Sequence, residues 1–343
     1  MTGYLVRRSG WACVLLLVIT LYTFVLFFMI PSTPQVIGGA RVTPEPLAGR
    51  YEFGLHGGVL QQYGQFLSHL ARGDLGSSWT NRRPVADLIA EAAPATASLV
   101  IGGALVWLLI AFPIGIASAL RPRSVIDRAG MVFVLIGISA HPLWIGYMLS
   151  FLLGYKLHWF PLTGYCDFVA PTGLCGGPVQ WSYHLVLPWF TFAFAFAALY
   201  ARMLRASLIE TSGEDYVRTA RAKGAGGWRV LRGHVLQNAL LPIVTMLGMD
   251  ISLAFAGSVF VERVYGIPGI GQLLYNSLAR RDLPVILGIV VLVACAIVVF
   301  NVVVDLLYCV LDPRTRAPAR PRAATTRSRA RRRTARAKPL PQQ

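Results

Sequence analysis

The sequence predicts an all-α polytopic membrane protein with six transmembrane helices. Of its 343 residues, 55% are hydrophobic and only 14% are charged, and the mean hydropathy is +0.57. Soluble domains carry about 25% charged residues, so this composition excludes a soluble globule of this length. Apolar runs of about twenty residues, the length that crosses a bilayer core, alternate with loops that hold most of the charge.

Six apolar runs predict the transmembrane helices. In chain order they are 11–30, 97–120, 131–153, 185–204, 240–260 and 285–304, the last continuing to 310. Arg7 and Arg8 precede the first run. No small-residue cleavage site follows it, which favours a retained span over a signal peptide. Pro113 lies inside the second run, where neighbouring helices can satisfy the carbonyl group that it frees.

These runs divide the chain into four regions. Residues 1–30 hold the N-terminus and the first span, 31–96 form an outer loop region, 97–310 form a five-helix core, and 311–343 form a basic, low-complexity tail that is predicted to be disordered. In the outer loop region, apolar residues from 59 to 70 recur at helical intervals and predict a helix along the membrane surface. Contact with anionic lipid headgroups explains the basic tail better than nucleic-acid binding does.

Positive charge predicts which loops are cytoplasmic. With six spans both termini share one side, and that side carries 23 Lys and Arg residues against 9 on the other. Without the tail the difference is 12 against 9, and the long first outer loop contributes weakly to the rule. Both termini and the loop 206–240 are therefore predicted to be cytoplasmic.

Two ionisable side chains inside the spans are candidates for a transport pathway. His141 precedes Pro142 in the third run, where a kink is predicted, and Asp250 lies near the middle of the fifth run. An unpaired charge at that depth costs several kcal/mol, so Asp250 needs a partner or a water-filled path. A hydrogen-bonded packing histidine explains His141 as well, and a partnered structural acid explains Asp250 equally.

The five cysteines contain no CxxC pair and no Cys/His cluster with metal-ligand spacing. Zinc and iron–sulfur sites are therefore excluded. Cys166 and Cys175 lie nine positions apart in the loop 155–184, which is predicted to face the outer, oxidising side. A disulfide that closes this small loop is expected there, with two free thiols as the alternative.

A charged interruption from Glu210 to Pro242 separates the fourth and fifth runs. Ser212 and Asp215 have the spacing of a capping box, which predicts a helix that begins near Gly213 and ends in the glycine-rich run 224–227. One narrow face of this helix is expected to hold Tyr216, Val217, Ala220, Lys223 and Gly224, opposite Arg218 and Arg221. A second helix is expected from Trp228, with Val230, Leu231 and Val235 facing apolar surroundings and Arg229 and Arg232 facing polar ones.

Several ordered segments carry a family resemblance. They are FFMIPSTP at the end of the first run, GDLGSSW and RRPVADLI before the second, DYVRTARAKG and NALLP in the interruption, ERVYGIPGIGQLL and RRDLPV after the fifth run, and VDLLYCVLDPR in the sixth. Together they resemble ABC importer permeases of the dipeptide and oligopeptide (peptide/nickel) branch, from about Leu5 to Arg316. Arg218 and Thr219 stand where the family's EAA loop generally has Glu and Ala, a departure typical of the peptide branch.

The resemblance implies the type I ABC importer permease fold and the role of one permease subunit in a bacterial plasma membrane. It implies a second, homologous permease, two ATPase subunits that bind ATP and Mg²⁺, and an extracytoplasmic substrate-binding protein, with no cofactor or metal in this chain. The short helix of the EAA loop, the coupling helix, would dock into an ATPase subunit. Its contact residues would be Glu214, Asp215, Tyr216, Val217, Arg218, Ala220, Arg221, Lys223 and Gly224.

The chain contains no GxxxxGK[ST] phosphate loop and no HExxH or GxSxG motif. ATP hydrolysis and a recognisable catalytic centre are therefore not predicted for this subunit. A proton-coupled secondary transporter that uses Asp250 and Asp305 is one alternative, and a membrane enzyme that uses His141 with Asp250 is another. Permeases for nickel, glutathione or haem resemble the peptide branch too closely for the sequence to separate them.

Overall fold

A computed structural model describes residues 2–29, 36–37, 40–41, 59–168 and 175–311. The helices, in chain order, are α1 (Thr2–Met29), α2 (Val59–Ala71), α3 (Val85–Leu120), α4 (Val125–Ser139), α5 (Pro142–Leu149), α6 (Pro178–Ser212), α7 (Asp215–Ala222), α8 (Gly227–Val230), α9 (Leu236–Tyr265), α10 (Ile270–Arg280) and α11 (Leu283–Leu311). Two π-helical segments, Ser150–Lys156 and Leu231–Val235, follow α5 and α8. The all-α prediction is confirmed apart from one short antiparallel ribbon, β1 (Val36–Ile37) with β2 (Ala40–Arg41).

Four helical stretches are long and apolar enough to cross a bilayer: Val85–Leu120, Pro178–Ser212, Gly227–Ile251 and Leu283–Val302. Two bent helix pairs raise the number to as many as six if each pair forms one span. In the described part of α1, the apolar helix Cys13–Val25 is shorter than a span. The chain is therefore a multi-pass membrane protein, while the count of six remains a prediction. The tail from 312 onward lies outside the described residues.

The core centres on the packing of α3 against α6. Trp107 of α3 is fully buried and stacks on Phe196 of α6 with ring centroids 4.6 Å apart. Gly103 and Gly115 of α3 lie directly against Phe192 and Leu204, so the two helix backbones approach closely. Small residues at such crossings are typical of helix pairs in membranes.

The predicted helix over 59–70 is confirmed as α2, and its apolar face packs on protein. Phe66 is buried against Phe24 of α1, with ring centroids 5.8 Å apart, and belongs to one cluster with Leu287 and Val291 of α11. The Tyr63 hydroxyl donates to the Leu17 carbonyl oxygen at 3.0 Å. Protein contacts thus account for Phe66 and its neighbours but not for Leu60, which is exposed, and the location of α2 at the membrane surface remains a prediction.

The third apolar run forms two helices that meet at the predicted kink, and a single span over 131–153 remains a prediction. α4 ends at Ser139 and α5 begins at Pro142, and the axis of α4 makes an angle of 105° with that of the helical stretch Pro142–Lys156. Proline disfavours helical backbone at the residue before it and fits the first position of a helix. His141 accordingly has extended dihedrals, φ −74° and ψ 138°, which end the first helix and start the second.

Several helices extend beyond the apolar runs that predict the spans, and the division into four regions remains a prediction. α3 begins at Val85 and not near residue 97, so the outer region 31–96 contains α2 and the first turns of α3. α6 runs to Ser212, eight residues beyond the predicted end of the fourth span. α9 extends from Leu236 to Tyr265, and α10 forms a separate short helix after it. An apolar run locates the hydrophobic part of a helix but not its ends, because polar turns continue the same helix beyond the run.

Candidate functional site

The helix at the centre of the charged interruption is α7, Asp215–Ala222. The predicted capping box of Ser212 with Asp215 is wrong, because α6 continues through Ser212 and Glu214 occupies the N-cap without a side-chain capping bond. The N-cap and first turn carry the acids Glu214 and Asp215, and the last turn carries Arg221. These charges complement the helix dipole and favour this two-turn helix.

A Schellman motif ends α7. Gly224 has φ +83°, its backbone N–H donates to the Arg221 carbonyl oxygen at 2.9 Å, and the Ala225 N–H donates to the Ala220 carbonyl oxygen at 3.2 Å. Both bonds belong to this termination motif, whose left-handed position favours glycine. The glycine-rich run therefore ends α7 at Gly224, whereas Gly227 already begins α8.

Replacing Gly224 with Ala is expected to loosen the end of α7. A Cβ atom there would meet no atom within 4 Å, so the cost is that of the left-handed backbone, about 1–2 kcal/mol per residue. Hydrogen exchange of the α7 amides in the purified complex is expected to accelerate by about 5–30-fold. Gly227→Ala is the matched control, because its Cβ also has open space and its φ is not in the left-handed region. Equal exchange in both variants would contradict this assignment.

Val217 is the fully buried side chain that packs α7 against the membrane-spanning bundle. It belongs to the main core cluster with Leu208, Val230 and Val235. The predicted narrow face is thus reduced to Val217 and half-buried Ala220. Seven of the nine predicted contact residues are exposed: Glu214, Asp215, Tyr216, Arg218, Arg221, Lys223 and Gly224.

The segment after α7 follows the sequence prediction. α8 begins at Gly227, one residue before the predicted start, and Val230, Leu231 and Val235 are buried while Arg229 and Arg232 are exposed. The Asn238 amide nitrogen donates to the Tyr216 hydroxyl at 3.0 Å. This bond joins the DYVRTARAKG segment to the NALLP segment, so the two halves of the interruption contact each other.

A bidentate ion pair lies on the predicted cytoplasmic side. Arg205 of α6 contacts Asp127 of α4 through Nε–Oδ1 at 2.6 Å and Nη2–Oδ2 at 2.8 Å. Asp127 is 5% exposed and also accepts from the Arg123 backbone N–H. Arg205 directly follows the fourth apolar run, and nothing in the sequence indicates its partner. Ser124, the N-cap whose hydroxyl accepts from the Asp127 N–H, is the local signal that marked the start of this helix.

The structure gives His141 and Asp250 different partners. The Nδ1 atom of His141 accepts from the Leu143 N–H at 3.3 Å, and its ring lies edge-to-face with Phe260. His141 borders an open, mainly apolar cavity of about 510 Å³ at the break between α4 and α5. Asp250 is partly buried and accepts from the Tyr200 hydroxyl at 2.8 Å. The two groups therefore form no acid/base pair in this structure.

A buried carboxylate that the sequence analysis missed organises the predicted outer side. Glu262 is fully buried, accepts from the Thr96 hydroxyl at 2.7 Å, and accepts from the Gln272 N–H in the first turn of α10 at 2.8 Å. A Cβ atom at Gly269 or Gly271 would come within 3 Å of this carboxylate, so glycine allows the close approach. Glu262 thus fixes the N-terminus of α10 against α3, where a negative charge is favourable.

A second missed acid joins two segments that are about 200 residues apart. Asp282 is 2% exposed, and it accepts from the Ser78 hydroxyl at 2.5 Å and from the backbone N–H groups of Trp79 and Thr80 at 3.2 Å. Asp282 belongs to the RRDLPV segment, and its partners lie in the GDLGSSW segment and at Thr80 directly after it; the sequence could not place these segments in contact. The Asp127–Arg205 pair joins two segments that are predicted to be cytoplasmic, and the contacts of Glu262 and Asp282 join segments that are predicted to lie on the outer side.

Cys166 and Cys175 are paired in a disulfide with Cα atoms 5.4 Å apart. The His184 imidazole lies beside them, with Nδ1 3.3 Å from the Cys166 sulfur. Among the described residues these three form the one His/Cys/Asp/Glu cluster with metal-ligand spacing. Because the disulfide engages both sulfurs, only the imidazole remains as a ligand, which is insufficient for a metal centre.

Mass mapping of non-reduced peptides is expected to recover Cys166 linked to Cys175. Reduction is expected to loosen the loop that starts at Tyr155, because the bond closes a nine-residue separation. Cys13 is the internal control, since it is a free cysteine. Complete alkylation of Cys166 and Cys175 without reductant would exclude the bond.

Comparison with known proteins gives consistent matches over most of the chain. The protein-family model described as "Binding-protein-dependent transport system inner membrane component" matches residues 111–317, and a model of the N-terminal part of such membrane components matches residues 1–100. A putative peptide transport system permease protein of Brucella abortus is 34% identical over 318 residues, which cover 92% of this chain and 99% of the relative.

Two further matches extend the comparison. The dipeptide transport system permease protein of Escherichia coli K12 is 35% identical over 338 residues and covers 92% of this chain and 99% of its own. A chain of the MetNI methionine ABC transporter, solved in inward-facing conformations, is 16% identical and superposes with a TM-score of 0.50. That alignment covers 66% of this chain and 96% of the other, and the likeness concerns the fold.

Proposed function

Because the chain belongs to the family of binding-protein-dependent transport system inner membrane components, we propose that it is one permease subunit of an ABC importer for dipeptides, oligopeptides or a related small solute. The relatives named as peptide and dipeptide permeases, each matched over 99% of its length, support this substrate class. Nickel, glutathione and haem remain alternative solutes, because their permeases share the motifs of the peptide branch.

The proposed partners follow from this role. A second, homologous permease would complete the translocation pathway, two ATPase subunits would bind ATP and Mg²⁺ on the cytoplasmic side, and a binding protein would deliver solute outside. Both termini of this chain would be cytoplasmic. The excess of Lys and Arg on that side supports this orientation.

The proposed contact with the ATPase is α7, acting as the coupling helix. The single observation that carries this proposal is its geometry: one fully buried side chain, Val217, fixes it to the bundle while its other faces are open to a partner. The exposed ion pair of Arg218 with Asp215, at 3.8 Å, contributes little stability. Those two side chains are therefore available to contact another subunit.

The proposed mechanism is alternating access. Closure of the ATPases on ATP would move α7 together with the inner end of α6, and the packed helices would shift as units toward an outward-open state. His141 and Asp250 are the proposed pathway residues. The open cavity beside His141 and the partial exposure of Asp250 support their assignment.

Reconstitution tests the function directly. The complete complex, with the second permease, the ATPases and the binding protein, is placed in proteoliposomes, and uptake of a labelled dipeptide is measured. We expect uptake to require ATP hydrolysis and to be insensitive to collapse of the proton gradient. Uptake that follows the proton gradient without ATP would instead support the secondary transporter.

A further inference from the structure

The interface between α4 and α6 is apolar and closely packed over most of its length. Gly137 of α4 lies against Ala198 of α6, so close that a Cβ atom on the glycine would be 2.4 Å from the alanine Cβ. Phe133 meets Phe194 edge-to-face, with ring centroids 5.3 Å apart. Such contacts hold two helices together, but they are non-directional and do not by themselves fix how far one helix is displaced along the other.

The Asp127–Arg205 pair is a directional contact that fixes the position of α4 along α6. It joins α4 to α6 near their predicted cytoplasmic ends through two parallel N–H···O bonds. A fork-shaped guanidinium on a carboxylate fixes both distance and orientation, unlike an apolar contact. The carboxylate is buried, and Arg205 is 26% exposed by its side chain, so solvent screens this pair less than a surface ion pair.

On one side, the pair is connected to α7. Arg205 lies one turn before Leu208, and Leu208 and Val217 belong to the same core cluster. Only two residues, Gly213 and Glu214, separate the end of α6 at Ser212 from the start of α7 at Asp215. A displacement of α7 is therefore transmitted to the segment of α6 that carries Arg205.

On the other side, the pair is connected to the break in the third apolar run. Asp127 lies in the first turn of α4, which continues as one helix to Ser139. The 105° bend to α5 follows at once, with His141 at its corner against Phe260 of α9. A shift of α4 along its axis therefore changes the geometry of this corner and of the cavity beside it.

We propose that Asp127 and Arg205 are positioning residues that carry the displacement of α7 into α4 and hence into the broken span. This inference rests on the proposed function, since it needs an ATPase that acts on α7. The pair holds the register of α4 against α6, so both helices move as one body during the transport cycle. Without it, the apolar interface allows α6 to move while α4 stays behind.

The test compares transport with hydrolysis in the complete reconstituted complex. The double variant Asp127→Asn with Arg205→Gln is used because it leaves no unpaired buried charge, unlike either single change. We expect ATP hydrolysis within about twofold of the unmodified complex and about tenfold fewer labelled dipeptide molecules taken up per ATP, a typical size for coupling between sites. Arg205→Lys keeps the charge without the fork and is expected to give an intermediate loss.

Arg202→Ala is the matched control, because Arg202 is an exposed arginine one turn earlier on the same helix end. Its uptake per ATP is expected to equal that of the unmodified complex. A parallel fall of hydrolysis and uptake in the double variant and in Arg205→Lys would overturn the inference, because it would indicate a structural role alone. Unchanged uptake per ATP would overturn it as well. If the proposed function itself is wrong, the unmodified complex will show no ATP-dependent uptake, and this result is distinct from a failure of the inference about the ion pair.

Discussion

Replacing Val217 with Asp is expected to abolish ATP-driven uptake while the chain still inserts into the membrane. Val217 is fully buried and is the side chain that inserts α7 among the apolar residues at the inner end of the bundle. The change removes burial worth about 1.5–3 kcal/mol and adds an unpaired charge in an apolar site. α7 is expected to leave its position, and uptake in proteoliposomes is expected to fall by about a hundredfold or more.

Two variants separate this effect from a general disturbance. Val217→Ala keeps an apolar residue and is expected to lower uptake only severalfold. Gln237→Asp adds the same charge at an exposed position on the first turn of α9 and is expected to leave uptake unchanged. Full transport by Val217→Asp would show that α7 needs no fixed position on the bundle.

Replacing Glu262 with Ala is expected to lower the free energy of unfolding more than any other change described above. The change leaves the Thr96 hydroxyl and the Gln272 N–H without the acceptor that they have in the structure. Each unsatisfied buried donor costs about 1–3 kcal/mol, so the free energy of unfolding should fall by about 2–6 kcal/mol. The melting temperature of the purified complex should then fall by about 5–15 °C.

Glu262→Gln tests the cause of that loss. Its single carbonyl oxygen can accept one of the two bonds, so a melting temperature between those of the unmodified and alanine forms is expected. Glu210→Ala is the matched control, since Glu210 is exposed near the end of α6. A melting temperature lowered equally by Glu210→Ala and Glu262→Ala would contradict the role assigned to the buried carboxylate.

One spacing pattern shows where sequence reasoning succeeds and fails. Ser124 and Asp127 have the same spacing as Ser212 and Asp215, yet only Ser124 caps a helix. Ser124 follows Arg123, whose left-handed φ of +65° lies in the turn after α3, so the preceding helix has already ended. Ser212 still belongs to α6 and has no free helix start to cap. The pattern alone does not reveal whether the preceding helix has ended.

The sequence predicted the membrane helices and a kink at Pro142, but not that the helix breaks there with a bend of 105°. The apolar run around His141 reads as one span because proline changes the backbone direction without changing the polarity of the run. Hydropathy likewise does not predict the polar turns that extend α3 back to Val85. The spacing of apolar residues was sufficient to predict α2 and α8, whose apolar residues at helical spacing face the protein.

The polar contacts that fix the bundle could not be predicted from one sequence. Asp282 meets Ser78 about 200 positions away, and Glu262 meets Thr96 across 166 positions. No local signal encodes such a pairing. An acid next to a glycine-rich turn, as in ERVYGIPGIG, was the available hint that Glu262 caps a helix.

Site-specific photo-cross-linking from α7 tests the central claim most directly. A benzoylphenylalanine residue is placed at Arg221, an exposed position of α7, and in a second variant at Arg280, an exposed position on the predicted outer side. Irradiation of the assembled complex is expected to join the chain to an ATPase subunit from position 221 and not from position 280. An ATPase adduct from position 280 with none from position 221 would contradict the account.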